Sequence, residues 1–191
     1  MRTLPNLLSL GRIFCGPLVM LLIAQQSRWA LFATLVVMGL SEISDLMDGH
    51  IARRYGATSN FGKIVDPLAD SLYRAMVFLA FLDAGWMPMW MVAIIVSRDI
   101  LVAYLRIFSQ QNGITLSART SGKLKAVVQG VVQIAAVVLF FVYGLHPAGW
   151  VTHTVFGLLL AATLVTAWSA VDYTLGFLRS VDIRATVANK G

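Results

Sequence analysis

Four aspartates and an arginine stand at fixed spacing between residues 45 and 70. They read Asp45-x-x-Asp48-Gly49-x-x-Ala52-Arg53, eight residues, then Gly62-x-x-x-Asp66-x-x-x-Asp70. Carboxylates inside apolar sequence are costly and mark a functional site. Asp45 and Asp48 are three residues apart, Asp66 and Asp70 four, so on helices each pair shares one face. Two such helices could aim four carboxylates at one point. Charges so close repel unless cations neutralise them. All-oxygen donors suit hard divalent ions, so a pair of Mg²⁺ or Mn²⁺ ions is the expected cofactor. Gly49 and Gly62 remove side chains where a ligand or helix must come close, and Ala52 keeps that face open. Arg53 offers a planar fork for phosphate oxygens. Such a site can clamp a diphosphate, while a carboxylate not committed to metal accepts a proton from an attacking hydroxyl. The predicted reaction is transfer of a phosphoryl-type group from a diphosphate donor to an alcohol. In the alternative reading these acids pair with arginines to lock helices together. Against it, four of the nine acidic residues fall in this one stretch, and structural pairs would not need a two-helix periodicity.

The elements that must position these residues are membrane-grade. The chain has 191 residues, 58% hydrophobic and 13% charged, far from a soluble composition. An all-α integral membrane protein follows, with six transmembrane helices expected at about 7–25, 29–53, 63–83, 87–109, 121–143 and 150–178. Polar or glycine-bearing breaks separate them at Gln25-Gln26-Ser27, Gly56 to Asn60, Gly85, Gln110 to Ser117 and His146 to Gly149. One domain over 1–179 and a polar, fraying tail over 180–191 are expected. Nearly all basic residues fall on one side of this plan, leaving Arg28 on the other, so both termini and the acidic motif are predicted to face the cytoplasm. The first apolar stretch is read as a retained helix and not a cleaved signal, because more hydrophobic segments follow it. Trp29, Trp86, Trp90, Trp150 and Trp168 suit interfacial anchoring. Cys15 is read as a small packing residue. The net charge of +6 points to anionic lipids or phosphate ligands. Nucleic acid is disfavoured, since no basic stripe alternates with aromatics outside the spans. A cation path is also disfavoured, because few acids continue across the bilayer.

The acidic pattern matches every fixed position of the CDP-alcohol phosphatidyltransferase signature, and the six-helix plan extends the resemblance to nearly the whole chain. The resemblance implies a multi-pass membrane enzyme that moves a phosphatidyl group from CDP-diacylglycerol to an alcohol and releases CMP; the short, undecorated chain makes a bacterial cytoplasmic membrane the expected location over an organelle membrane. It implies that Asp45, Asp48 and Asp66 are metal ligands. Asp70 is implied as the general base, sharing in metal binding. Asp48, Gly49, Ala52, Arg53 and Gly62 are implied as the cradle of the CDP-lipid, and a homodimer as the assembly.

Within the family the chain resembles most the members that use glycerol 3-phosphate. The segments that carry this are Pro5 to Arg12, Phe61-Gly62 with Asp66-Pro67-Leu68-Ala69-Asp70, and Arg98-Asp99 to Arg106. Ser121-Gly122-Lys123-Leu124-Lys125 with Gln129 follows the same pattern, and Trp168-Ser169 to Tyr173 more loosely. A phosphorylated acceptor needs cationic partners, and Arg98, Arg106, Arg119, Lys123 and Lys125 gather around one predicted cytoplasmic connection. Their other reading is topology signalling or contact with anionic lipid heads. Two positions depart from the pattern. Ser71 stands where such members commonly carry lysine. Arg74 follows Asp66 and Asp70 at i+8 and i+4, so it either binds an acceptor phosphate or pairs with Asp70. Inositol phosphate is therefore an alternative acceptor, and cardiolipin formation from phosphatidylglycerol a third.

Overall fold

A computed structural model describes the backbone of residues 3–55, 62–112 and 119–188, and the side chains of 11–44, 66–112 and 119–181. Among the described residues every regular element is helical: α1 (Thr3–Ala24), α2 (Arg28–Tyr55), α3 (Gly62–Asp83), α4 (Met89–Gln111), α5 (Thr120–Tyr143) and α6 (Gly149–Ala188). The connections follow local chemistry. Ser27 Oγ accepts a hydrogen bond from the Ala30 amide at the start of α2. Gly85, at φ +75°, ends α3, and the Trp86 amide reaches back to the Phe81 carbonyl at 2.8 Å. Pro88, in extended conformation, precedes α4, and Gly144 at φ +89° closes α5. The last helix departs from expectation. Residues 180–188, expected to belong to a frayed tail, continue α6 to Ala188. No proline or glycine interrupts that segment, so helix propensity carries it past the apolar stretch.

α1 packs on α2 and α3, α6 packs on α4 and α5, and α5 joins the two groups through α2 and α3. Gly16 makes the α1–α3 approach possible, because the Met76 side chain occupies the place where a Cβ would stand. The core runs along these contacts through Val19, Ile23, Val77, Phe78, Phe81, Met91, Ile95, Phe140 and Leu159. Trp86 turns inward and stacks on Phe140 with ring centroids 4.0 Å apart. Trp29, Trp90, Trp150 and Trp168 are exposed. All six helices carry exposed large apolar side chains, among them Phe14, Phe32, Leu72, Ile107, Val131 and Leu164. Water does not tolerate so extensive an apolar surface; lipid does. Residues 120–143 and 149–181 are long and apolar enough to cross a bilayer by themselves. The chain is a membrane protein.

Candidate functional site

α3 carries the second half of the acidic motif. Asp66 is exposed, and Asp70, one turn later, is partly buried. Arg12 of α1, itself buried, donates from Nη1 to Asp70 Oδ1 at 2.5 Å. Arg74 Nη2 stands 3.9 Å from the other carboxylate oxygen. α2 is helical through residues 45–55, and α3 begins at Gly62. The side chains of Asp45, Asp48, Ala52 and Arg53, and the surroundings of Gly49 and Gly62, lie outside the described residues. Among the described residues no three metal-ligating side chains cluster.

A pocket of about 260 Å³ opens beside Asp70. Six cationic side chains line it: Arg74, Arg98, Arg106, Arg119, Lys123 and Lys125. These are the residues singled out in the sequence as acceptor-phosphate candidates, and they come from α3, α4, α5 and the residue that precedes α5. Pro67, Ser71, Gly122 and Tyr173 complete most of the wall. With one carboxylate among six cations, the pocket has the field of an anion site.

Most of these cations are held from behind. Lys125 is buried and donates to Asp99 Oδ1 at 2.6 Å. Arg98 bonds the same oxygen at 3.0 Å and Ser169 Oγ at 2.7 Å. Arg119 bonds the Asp172 carbonyl at 2.7 Å and also the Asp172 carboxylate, whose second oxygen accepts from Ser121 at 2.5 Å. Arg106 Nη2 reaches the Tyr173 hydroxyl at 2.9 Å. Arg74 donates to the Ala126 carbonyl, and Gln133 bonds the Arg74 carbonyl at 2.9 Å. The side chain of Lys123 alone of the six makes no hydrogen bond or ion pair among the described residues, and Lys123 is exposed. Lys125 and Arg98 are thus interior groups with fixed partners, which does not suit a simple topology signal. For Arg74 both alternatives are visible in one geometry: it lines the pocket and stands near Asp70.

Sequence reasoning assigned no role to Asp99, Ser169, Asp172 or Tyr173. A signal was present. Thr166, Ser169, Asp172, Tyr173 and Gly176 repeat at three- and four-residue spacing through apolar α6, drawing a polar stripe down one face. Glu42 was also passed over. Its carboxylate and the Arg74 guanidinium both approach Gly130 of α5, where a Cβ would meet them at 3.5 and 3.6 Å.

Comparison with known proteins identifies the family. A family model described as CDP-alcohol phosphatidyltransferase matches residues 2–173. A Mycobacterium tuberculosis protein named "Probable phosphatidylglycerophosphate synthase" is 33% identical, over 97% of this chain and 87% of its own length. The Bacillus subtilis protein named "CDP-diacylglycerol--glycerol-3-phosphate 3-phosphatidyltransferase" is 30% identical, over 73% of this chain and 78% of its own. An Escherichia coli K12 protein of the same name is 27% identical, over 89% and 92%. The chain belongs to the CDP-alcohol phosphatidyltransferase family and is an enzyme of that class.

Proposed function

We propose that this enzyme serves phospholipid biosynthesis by transferring the phosphatidyl group of CDP-diacylglycerol to glycerol 3-phosphate, giving phosphatidylglycerophosphate and CMP. The observation that carries the reading is the pocket in which Asp70 stands among six cationic side chains. An acceptor with a phosphate handle supplies the charge that such a pocket lacks. The names of the similar proteins support the same donor and acceptor. In this reading residues 1–179 form one domain whose six helices cross a bacterial cytoplasmic membrane. Both termini and the site face the cytoplasm, and two chains form a homodimer.

Asp45, Asp48, Asp66 and Asp70 would hold Mg²⁺ or Mn²⁺. The donor set is wholly carboxylate, Asp66 is exposed, and Asp70 opens onto the pocket; these features fit a hard divalent ion. Bound there, the ions supply positive charge to the donor's diphosphate and to the departing CMP. Asp48, Gly49, Ala52, Arg53 and Gly62 form the cradle of the CDP group, with Arg53 on its diphosphate. Arg98, Arg106, Arg119, Lys123, Lys125 and Arg74 draw in the acceptor phosphate and place its alcohol end toward Asp70. The acceptor oxygen bonds to the phosphorus that carries diacylglycerol. The bond from that phosphorus to the CMP oxygen breaks, and CMP leaves with the electron pair. Asp70 takes the proton of the attacking hydroxyl. Arg12 holds one Asp70 oxygen, which restrains the carboxylate at the pocket mouth. Positioning and electrostatics carry most of the rate.

The test is CMP release by the purified protein from CDP-diacylglycerol with Mg²⁺ or Mn²⁺, with each acceptor offered separately. Release is expected with glycerol 3-phosphate, to stop with EDTA and to return with added metal. Turnover with inositol phosphate alone would keep the chemistry and reassign the acceptor, making Ser71 and Arg74 the first residues to exchange. Turnover in the metal-stripped protein would defeat the metal assignment.

A further inference from the structure

We propose that Tyr173 is the positioning residue of the basic pocket: its ring and hydroxyl fix Arg98, Arg106 and Arg119 at the spacing that selects a phosphomonoester-bearing acceptor. The inference rests on the acceptor reading above and goes beyond it in naming what sets the specificity.

Tyr173 is 1% exposed and lies at the centre of the cluster. The guanidinium carbons of Arg98 and Arg106 stand 5.3 and 5.4 Å from its ring centroid. Both distances are within cation–π range. Two like charges are thus drawn to one ring. The hydroxyl adds directional control. It accepts one hydrogen bond from Arg106 Nη2 at 2.9 Å and a second from the Arg119 amide at 3.1 Å. These two donors occupy its acceptor capacity, so its own proton remains to be donated. No acceptor for that proton is present among the described residues, and Tyr173 lines the pocket. An oxygen of a bound phosphate would satisfy it.

Two glycines shape this seat. A Cβ at Gly122 would stand 2.8 Å from the Tyr173 hydroxyl. At Gly176, one turn along α6, the Arg119 guanidinium occupies the place of a Cβ. Asp172, next in sequence, holds Arg119 by its carbonyl and its carboxylate. One turn of α6 therefore sets the positions of three arginines. Arginine side chains lose much rotamer freedom when ordered. A cluster ordered before the ligand arrives binds without that cost. Phenylalanine would fill the same space as Tyr173 and remove only the hydroxyl, with its bonds to Arg106 and to the Arg119 amide.

The experiment is steady-state CMP release by the full-length protein, with CDP-diacylglycerol and glycerol 3-phosphate varied in turn, for the wild type, Tyr173→Phe and Gly122→Ala. Tyr143→Phe, exposed and outside the pocket, is the control and should match the wild type. Tyr173→Phe should raise the KM for glycerol 3-phosphate about tenfold, the scale of a hydrogen bond to a charged group. The KM for CDP-diacylglycerol should stay within about twofold, since the loss is confined to acceptor binding. Inhibition by inorganic phosphate, competitive with the acceptor, should weaken in parallel. Gly122→Ala keeps the tyrosine but displaces its hydroxyl, and should move the same constant in the same direction; it decides the matter if Tyr173→Phe does not fold. An active wild type with an unchanged acceptor KM in the folded variants overturns this inference alone. Equal loss for donor and acceptor also overturns it, and makes Tyr173 a packing residue. A wild type without glycerol 3-phosphate-dependent release overturns the functional reading, and this inference with it.

Discussion

The two ends of the helix bundle are built on opposite principles. At one end, Asp70, Asp99 and Asp172 interleave with Arg12, Arg74, Arg98, Arg119 and Lys125 around a pocket, and several of these charges are buried. At the other, Phe81, Trp86 and Phe140 stack beside the Gly85 turn. There Arg28, the one arginine at that end among the described residues, caps α5 by donating to the Phe141 and Val142 carbonyls at 3.2 and 3.0 Å. Buried ion pairs add little net stability compared with apolar packing. A membrane bundle needs none of them to hold together. Their concentration at one end therefore reflects chemistry, and the aromatic end supplies the rigidity on which that chemistry rests.

This contrast can be broken in order of size. Asp70→Asn keeps the shape of the side chain but removes the proton acceptor. CMP release should fall by about 10²–10⁴-fold, the usual worth of a general base. Thermal unfolding in detergent should show the fold retained, and near wild-type release would remove Asp70 from the chemistry. Phe140→Ala should do the reverse. It opens a cavity in the aromatic stack and should cost about 3–5 kcal/mol of stability. The KM values of the folded fraction should stay at wild-type levels, and an equal loss of acceptor affinity would show that the two ends are coupled. Arg28→Ala should have the smallest effect, about 0.3–1 kcal/mol from the lost interaction with the end of α5. It is measured as a shift in the same unfolding transition, with turnover unchanged.

The difference between the ends also explains what could be read in advance. Apolar run length and the breaks at Gln25-Gln26-Ser27 and Gly85 locate the helices to within a few residues, because both signals are local. The length of α6 was hidden, since residues 179–188 lose hydrophobicity without meeting a helix breaker. The pairing of helices was hidden as well. Gly16 against Met76 is a contact between distant positions, and no periodicity announces it. At the site, Asp66, Asp70 and Arg74 were legible because helical spacing repeats on one strand of sequence. Five of the six pocket cations, all but Arg74, were legible as a cluster of charge near one connection. Their partners were not: Asp99 meets Lys125 and Asp172 meets Arg119 across separations of 26 and 53 residues, which only tertiary structure can close. Tyr173 was missed for a related reason. A tyrosine in an apolar helix reads as packing until the groups that converge on it are known.

The central claim is that the basic pocket holds the acceptor phosphate and not the donor. Lys123 tests it most directly, because it lines the pocket, is exposed and has no partner among the described residues whose loss would disturb the fold. The measurement is the pair of KM values for glycerol 3-phosphate and CDP-diacylglycerol in Lys123→Gln. The account predicts a rise of about tenfold for glycerol 3-phosphate alone, the scale of one lost charge-assisted contact. A rise for CDP-diacylglycerol with an unchanged acceptor constant would contradict it, and would assign the pocket to the donor.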